Sequence, residues 1–294
     1  MTPEAEAAVC PACDGRAFRF LFTKNGRRFW ECRECRAQRL IPLPTAEELE
    51  RHYRTSYESG LYRTQLDAPA INDRRAQLRL EEILPFCRAG RWLDVGCSEG
   101  DFVATARRRG LDVEGIDLSE AAAARARARG LPVSCSTVAD HRPPAAYETV
   151  TAFDVIEHVP DPLAFMASIW SLLLPGGTVV LTTPDLSSLS RLMMRRRWYF
   201  YIPEEHLFYF RRDSLARLLA RARYDVLKVR PALKYVSFNY ALDQFREYNP
   251  LIHRVLSGLG TVLPGRLRDL PVPLRLGELL VIARRPRIEA LARS

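Results

Sequence analysis

The sequence has few lysines and no long uninterrupted apolar segment, and these two shortages argue against a polyanion-binding protein and a membrane-spanning protein. Lysine supplies only 3 of the 44 basic residues, so arginine carries nearly all of the net charge of +9. Many arginines lie in helical stretches such as 120–129, where a solvated helix face explains them without a polyanionic partner. The longest uncharged run, 162–184, is interrupted by Pro175, Gly176 and Gly177, which predicts a helix, a turn and a strand and no stable membrane span.

The length of 294 residues suits one domain of catalytic size with a small appendage. Hydrophobic residues make up 47% of the chain and charged residues 27%, values that exclude a mainly disordered or fibrous protein. Residues 1–9 are acidic and lack the basic and apolar regions of a secretory signal. We therefore expect a cytoplasmic protein.

Four of the seven cysteines form two close pairs near the amino terminus, and they predict a metal site. Two residues separate Cys10 from Cys13, and two separate Cys32 from Cys35. Such pairs can place four thiolates around one tetrahedral ion, with a hairpin turn predicted between them at Asn25. The pattern resembles a zinc ribbon, and we expect a structural Zn²⁺ because so small a module has little core. Two disulfides are disfavoured in the cytoplasm, and a redox site would not need two pairs.

Changes of pattern along the chain predict the domain boundaries. The ribbon is predicted over residues 1–42, a linker and helix over 43–70, and the main domain over 71–294. We expect the ribbon and the main domain to have separate sources of stability. The linker holds three tyrosines that either pack on the main domain or contact substrate: Tyr53, Tyr57 and Tyr62.

From residue 71 onward, helical and extended patterns alternate. Helices are predicted over 71–86, 102–109, 120–129, 162–174 and 212–223, and strands over 91–95, 112–116, 133–136, 149–153, 178–182, 224–230 and 277–283. Repeated strand–helix units predict an α/β fold, a Rossmann-like, mostly parallel sheet with helices on both faces. Ligands of such sheets bind at the carboxyl ends of the strands.

A glycine-containing turn follows the first strand of this domain. Gly96 and Gly100 would let backbone amides approach a ligand, and Asp94 precedes them. The three-glycine spacing of a pyrophosphate site is absent. The next strand ends in Asp117, where a carboxylate can accept hydrogen bonds from ribose hydroxyls. Together with the segment 174–184, these residues form a specific pattern.

This pattern resembles the class I S-adenosylmethionine-dependent methyltransferases over residues 91–224. The resemblance implies S-adenosyl-L-methionine as cofactor, with the glycine turn against its methionine part, Asp117 at the ribose and Asp140 near the adenine. Ser98 stands where the family usually has a third glycine. The residues expected to bind the cofactor are Asp94, Gly96, Cys97, Ser98, Gly100, Asp117, Leu118 and Asp140.

Residues 153–161 resemble a subgroup of small-molecule methyltransferases that includes the ubiquinone-biosynthesis O-methyltransferases, and so does the segment 203–210. Asp154, Glu157 and His158 are spaced so that one helical turn could aim all three at one point. Glu157, His158 and, in the second segment, His206 are the candidate catalytic residues. Three interpretations stay open: His158 is a general base; Asp154, Glu157 and His158 bind Mg²⁺ or another divalent ion; or Glu157 and His158 only cap and pack.

We therefore expect a methyltransferase acting on a small-molecule acceptor, a saccharide or a secondary metabolite, most simply at oxygen. Segments 186–210 and 231–273 are predicted to form a cap over the substrate. Arginines and aromatic residues alternate within 195–202, and they can pack as a lid, line a pocket, stack on bases or meet a membrane surface. A ribosomal or transfer RNA methyltransferase is the alternative, with a non-catalytic cofactor-binding protein as the third hypothesis. The sequence sets no oligomeric state.

Overall fold

In a computed structural model of the chain, the residues described are 7–45, 47–49, 51, 69–236, 238–239, 242, 250–260, 264–268, 270 and 272–287. The three linker tyrosines and most of the aromatic stretch 237–249 lie outside them. The strands are β1 (Phe18–Lys24), β2 (Arg27–Cys32), β3 (Gln38–Leu40), β4 (Arg91–Val95), β5 (Asp112–Asp117), β6 (Val133–Cys135), β7 (Tyr147–Phe153), β8 (Leu173–Pro184), β9 (Phe208–Tyr209), β10 (Asp225–Pro231), β11 (Lys234–Val236), β12 (Val272–Leu274) and β13 (Glu278–Arg284). The α-helices are α1 (Pro69–Ile83), α2 (Asp101–Arg108), α3 (Glu120–Ala128), α4 (Pro162–Leu172), α5 (Leu189–Met194), α6 (Arg212–Arg221), α7 (Pro250–Gly260) and α8 (Gly265–Arg268).

Seven strands form the central sheet in the order β10-β13-β8-β7-β4-β5-β6. Strands β4 to β8 pair in parallel, whereas β13 is antiparallel to both β8 and β10. The predicted α/β fold with a mostly parallel sheet is confirmed. The chain order reverses at β4, because β5 and β6 lie on one side of it and β7 and β8 on the other. Open α/β sheets bind ligands at such a point, outside the carboxyl ends of the strands.

Side-chain caps explain where two of the helices on this sheet begin. The Ser119 hydroxyl accepts a hydrogen bond from the backbone N–H of Ala122 at the start of α3. The Asp161 carboxylate accepts from the backbone N–H groups of Leu163 and Ala164 at the start of α4. Ser119 and Asp161 each end a segment that begins at the carboxyl end of a strand, so each cap joins that segment to the first turn of the following helix.

The fourth helix and the strand after it differ from the prediction. Helix α4 ends at Leu172, and β8 already begins at Leu173, whereas we expected a helix to 174 and a strand from 178. Leu173 pairs with Tyr147, and the next pairing of these strands joins Thr178 to Thr149. The extra residues bulge out between the two pairings, so the predicted turn is an irregularity inside one long strand.

The amino-terminal cysteine segment forms a small antiparallel sheet with one strand from the main domain. Strands β1 and β2 pair through a two-residue turn in which Asn25 and Gly26 have φ of 48° and 75°. Positive φ at both positions suits the hairpin turn that joins right-twisted strands. The order of the sheet is β1-β2-β3-β9, with Gln38 opposite Tyr209 and Arg39 opposite Phe208. The main domain therefore supplies the last strand of the ribbon.

Aromatic rings join the two parts into one core. The ring of Tyr201 lies edge-on to those of Phe22 and Phe29, with centroids 5.1 Å apart in each pair. The Tyr201 hydroxyl donates a 2.7 Å hydrogen bond to the side-chain oxygen of Gln38. Trp198 and Tyr201 are both buried. The ribbon and the main domain thus share packing, contrary to our expectation of separate sources of stability, because the hairpin cannot bury these rings alone.

The two predicted cap segments differ in what the structure describes of them: buried aromatic rings in the first and a two-stranded sheet with a helix in the second. In the first, the rings of Trp198, Phe200 and Tyr201 are buried, so this stretch packs as a lid on the domain and carries no exposed stacking platform. In the second, β11 pairs with β12 in antiparallel register, and α7 lies between them in the chain. A substrate cap over 186–210 and 231–273 stays a prediction. No helix among the described residues has both the length and the apolar character needed to cross a membrane.

Candidate active site

The turn after β4 has a backbone that only small residues adopt easily. Gly96, Ser98 and Gly100 have φ of 72°, 50° and 79°. A Cβ added at Gly96 would lie 2.6 Å from a methyl carbon of Val155, so this position has no room for a side chain. Ser98 takes the left-handed conformation expected of the family's third glycine, at a modest cost in strain. The departure from the family pattern therefore leaves the shape of the turn intact.

Asp117, at the carboxyl end of β5, ties this turn to the start of α3. Its carboxylate accepts a 2.7 Å hydrogen bond from the backbone N–H of Ser98 and a 2.8 Å bond from that of Ser119. Burial raises the pKa of Asp117, and these backbone donors oppose the rise. A carboxylate has about four acceptor positions, so two bonds leave capacity for further donors.

Two other predicted cofactor residues lie deeper. The carboxyl group of Asp94 is buried and accepts a 2.7 Å hydrogen bond from the Thr151 hydroxyl of β7. Burial raises the pKa of Asp94 to about 7. Cys97 is also buried, and burial raises the pKa of its thiol. Both residues are therefore buried beneath the glycine turn and hold its backbone in place. A pKa of about 7 would let Asp94 exist in both its charged and its neutral form near neutral pH.

Leu118 and Asp140 lie on the surface beside these residues. Leu118 follows Asp117 directly, and 69% of it is exposed, which is unusual for a leucine next to a buried strand. Asp140 is exposed in the loop after β6, and its carboxylate accepts a 2.6 Å hydrogen bond from the Thr137 hydroxyl. The structure thus places an apolar side chain and an acid at the edge where β5 and β6 end.

Two histidines from different loops meet beyond the end of β7. The rings of His158 and His206 are perpendicular, and their centroids are 4.7 Å apart. Glu157 joins them, since the ligand atoms of the three residues lie within 4.8 Å of one another. The backbone N–H of Leu207 donates a 2.7 Å hydrogen bond to the carbonyl of Glu157 and so holds the two loops together. The pairing of His158 with His206 was not visible in the chain, where they are far apart.

Burial shifts the pKa of both Glu157 and His158 toward their uncharged forms. Burial, with a contribution from His206, lowers the pKa of His158 to about 3, so its imidazole carries no charge at neutral pH. Burial, with a contribution from Asp154, raises the pKa of Glu157 well above its ordinary value. One oxygen of Glu157, Oε2, is buried and has no hydrogen-bond partner among the described residues. Nδ1 of His206 lies 2.8 Å from the carbonyl of Phe200, and because a carbonyl only accepts, Nδ1 is the donor in this hydrogen bond.

The structure groups Glu157 and His158 with His206, and the predicted divalent-ion site of Asp154, Glu157 and His158 stays a prediction. In the described part of the chain, Asp154 is not among the acids whose ligand atoms lie together with those of the histidines. Asp154 has φ of 56° and accepts a 2.7 Å hydrogen bond from the Thr182 hydroxyl of β8. The chain turns sharply there in place of continuing as a helix, so the regular helical spacing on which the grouping depended does not exist.

Arg79 is a residue that the sequence analysis missed. Its guanidinium lies 4.3 Å from the centre of the Phe153 ring and 3.8 Å from the Asp154 carboxylate. Helix α1 thus contributes a cation to the end of β7. Nothing in the sequence distinguishes this arginine from the many others on helical surfaces, so only the fold could reveal it.

The four predicted zinc ligands lie together in the ribbon. All four sulfur atoms lie within 4.8 Å of one another, with 3.5 Å between Cys10 and Cys35 and between Cys13 and Cys32. Four sulfurs about 2.3 Å from one tetrahedral ion would be separated by similar distances. A hydrogen bond from Cys35 lowers the pKa of Cys10 to about 6, so one thiolate is already favoured. The donor set fits a closed, structural Zn²⁺ site.

Comparison with known proteins finds a family model and several relatives that match part of the chain. A family model described as "Methyltransferase domain" matches residues 66–229. A ubiquinone biosynthesis O-methyltransferase from Paracidovorax citrulli is 31% identical over 57% of this chain and 71% of its own length. A protein of the same name from Aeromonas salmonicida is 34% identical over 35% of this chain and 47% of its own. The chain thus spans about half the length of several curated relatives.

Solved structures with the same fold have low sequence identity to this chain. A methyltransferase from Thermotoga maritima has a TM-score of 0.51 at 17% identity, covering 82% of this chain and all of its own. The 1,6-didemethyltoxoflavin-N1-methyltransferase of Burkholderia thailandensis has a TM-score of 0.50 at 18% identity, covering 91% of this chain and 99% of its own. These likenesses concern the fold alone.

Proposed function

Since the chain belongs to the methyltransferase-domain family, as the match over residues 66–229 shows, we propose that it transfers a methyl group from S-adenosyl-L-methionine to a small-molecule acceptor. This family assignment confirms the resemblance drawn from the glycine turn. The 71% coverage of the P. citrulli relative supports the same assignment.

The residues around the glycine turn suit this cofactor. Gly96 lacks the side chain that would fill the turn, and Asp117 has acceptor capacity at the end of β5 for two ribose hydroxyls. Leu118 offers an exposed apolar surface, and Asp140 an acceptor, on the side where adenine would lie. When bound, S-adenosyl-L-methionine supplies an electrophilic methyl group. The chain must orient the acceptor and take up its proton.

We assign the proton uptake to the histidine cluster. The neutral imidazole of His158 carries a lone pair that can accept the proton of an acceptor hydroxyl. A proton on His158 favours ionisation of the neighbouring Glu157, because opposite charges at this distance attract strongly. The carboxyl group of Glu157 would release its own proton to bulk water as His158 takes the proton of the acceptor, so the pair holds one proton before and after the transfer. His206 positions His158 through the ring contact. The acceptor atom is proposed to be oxygen, as in the names of the relatives.

A divalent ion in the same cluster is the second arrangement that the residues allow. Two imidazoles and one carboxyl group suit zinc or manganese better than Mg²⁺, which prefers oxygen ligands. In that arrangement Glu157, His158 and His206 would hold the ion. We propose the four cysteines as a separate, structural Zn²⁺ site.

The meeting of His158 and His206 beyond β7 is the observation that carries the proposed transfer to a hydroxyl acceptor. A saccharide or secondary metabolite is proposed as that acceptor because both carry hydroxyl groups. The test is to incubate the protein with methyl-labelled cofactor and fractionated host extract. Label should enter small metabolites and should be absent with Gly96→Val, whose side chain would meet Val155. Label in RNA would favour the RNA alternative, and no label with intact cofactor binding would favour a non-catalytic protein.

A further inference from the structure

A polar cavity lies where the ribbon meets the main domain, and its lining includes none of the residues of the glycine turn or the histidine cluster. Its volume is about 160 Å³. Arg19 and Arg36 line it from the ribbon, and Arg191 and Arg211 line it from the main domain. Neither part of the chain forms this cavity alone.

The cavity carries an excess of positive charge. Four guanidinium groups and one carboxylate, that of Glu31, line it, a formal excess of three positive charges. Glu31 is buried, and its carboxylate lies 2.8 Å from Arg19 and 3.1 Å from Arg36. Those ion pairs position the two ribbon arginines and neutralise one charge between them.

The two arginines of the main domain are less well neutralised. Arg191 donates a 3.4 Å hydrogen bond to the Tyr201 hydroxyl, and none of the carboxylates in the described ranges forms an ion pair with it. Arg211 lies 3.8 Å from Asp213, which is largely exposed. Guanidinium groups brought together in this way repel one another unless an anion lies between them.

We propose that this cavity binds the phosphoryl group of a phosphate-bearing acceptor. Guanidinium groups present forked donors that match phosphate oxygens, and several of them can surround one phosphoryl group. The volume is below that of a site for a whole drug-sized ligand, so it suits one charged group of a larger molecule. Among the residues that the structure describes, none with an aromatic ring lines the cavity, whereas grooves for single-stranded RNA combine positive charge with stacking rings.

The position in the fold connects the cavity to the proposed reaction. Leu186, which also lines the cavity, follows the end of β8, and its backbone N–H donates a 2.9 Å hydrogen bond to the carbonyl of Phe210. His158 follows the end of the adjacent, parallel strand β7. Both features therefore follow the carboxyl ends of adjacent strands, and the proposal is that one acceptor extends from one to the other. This substrate class rests on the proposed methyltransferase function.

The test is calorimetric titration of the full chain with inorganic phosphate and with pyrophosphate at constant ionic strength. One site per chain is expected. Arg191→Gln should weaken binding by roughly tenfold or more, as expected for the loss of a charge-assisted hydrogen bond. Arg19→Gln should do the same from the ribbon side, because Arg36 remains to pair with Glu31. The matched control is Arg217→Gln, an exposed arginine of α6 outside the cavity.

Each outcome decides the inference. The site is supported if Arg191→Gln and Arg19→Gln weaken phosphate binding and Arg217→Gln leaves it unchanged. This holds even if methyl transfer is never observed. Absence of binding, or equal weakening by all three substitutions, overturns it and leaves the proposed methyltransferase function untouched. If the wild type binds RNA but no phosphate, and the two cavity variants lose RNA binding, the inference is overturned and the cavity is an RNA contact. With a phosphate-bearing acceptor, the cavity variants should raise KM and leave kcat nearly unchanged.

Discussion

The cysteine cluster and the histidine cluster are both groups of ligating side chains, yet different forces hold them in place. The cysteines lie on two backbone knuckles, closed by hydrogen bonds from Asp14 N–H to the Cys10 carbonyl at 2.9 Å and from Arg36 N–H to the Cys32 carbonyl at 3.0 Å. The histidines lie on two separate loops joined by the hydrogen bond between Leu207 and Glu157. The first cluster is built by local turns and the second by packing between distant segments.

The two clusters are nevertheless connected. His206 lies two residues before β9, and β9 pairs with β3 of the ribbon. The loop that carries His206 is therefore fixed on one side by the ribbon and on the other by the loop after β7. The ribbon can therefore influence the position of the histidine cluster through the backbone of this loop.

The largest expected effect comes from removing the zinc. Chelation or Cys32→Ser should disorder the ribbon, since a structural zinc contributes on the order of 10 kcal/mol to folding. Because Tyr201 packs on Phe22 and Phe29, the main domain should also melt at a lower temperature, as scanning calorimetry can show. Cys135→Ser, an exposed cysteine outside the cluster, should change neither. Protein that is prepared without chelator and contains no zinc would contradict the zinc site. A main-domain melting temperature that chelation does not change would contradict the coupling.

A catalytic test separates the histidine cluster from the ribbon. His158→Ala should lower turnover by roughly 10²- to 10⁴-fold, the range for a lost general acid or base. Cofactor affinity should stay nearly unchanged, because His158 follows β7, whereas the glycine turn follows β4 and Asp117 ends β5. His253→Ala serves as the matched histidine control. Near-normal turnover in His158→Ala would remove both catalytic interpretations and make His206 the residue to test.

A smaller effect is expected at the cofactor site. Asp117→Asn keeps one carbonyl acceptor for the backbone of the turn but loses the charge. It should weaken binding of S-adenosyl-L-methionine by about 1–3 kcal/mol, the scale for hydrogen bonds to a charged group. Titration calorimetry measures the change, and the melting temperature shows whether the turn itself has suffered. Unchanged affinity in a folded variant would mean that the cofactor lies elsewhere.

The smallest effect is on the pH dependence of stability. Burial holds the pKa of His158 near 3 in the folded chain, against about 6.5 when unfolded. Between these values the unfolded chain binds the proton and the folded chain does not, so stability falls as pH decreases from about 6.5. Between pH 7 and 5.5, His158→Gln should lose at most about 1.4 kcal/mol less stability than the wild type, as urea unfolding can measure. Parallel stability curves for the two proteins would show that His158 is solvated.

Local patterns in the sequence predicted much of this molecule. The cysteine knuckles, the hairpin turn at Asn25 and the strand–helix alternation each depend on neighbouring residues, and the structure contains all three. The histidine pair and the shared core could not be predicted, because they depend on loops that meet only after the sheet has formed. The sharp turn at Asp154, where φ is 56°, is a local feature that the assumed helical spacing of residues 154–158 did not include.

The pairing of β3 with β9 also has a consequence for synthesis of the chain. About 170 residues separate Leu40 from Phe208, so at 5–20 residues per second the ribosome needs roughly 10 to 30 s to complete the partner strand. During that time the backbone N–H and C=O groups on the outer edge of β3 have no strand beside them, and such edges can pair with other chains. Zinc bound early would hold the short hairpin in shape, and its exposed edge would then await the rest of its own chain.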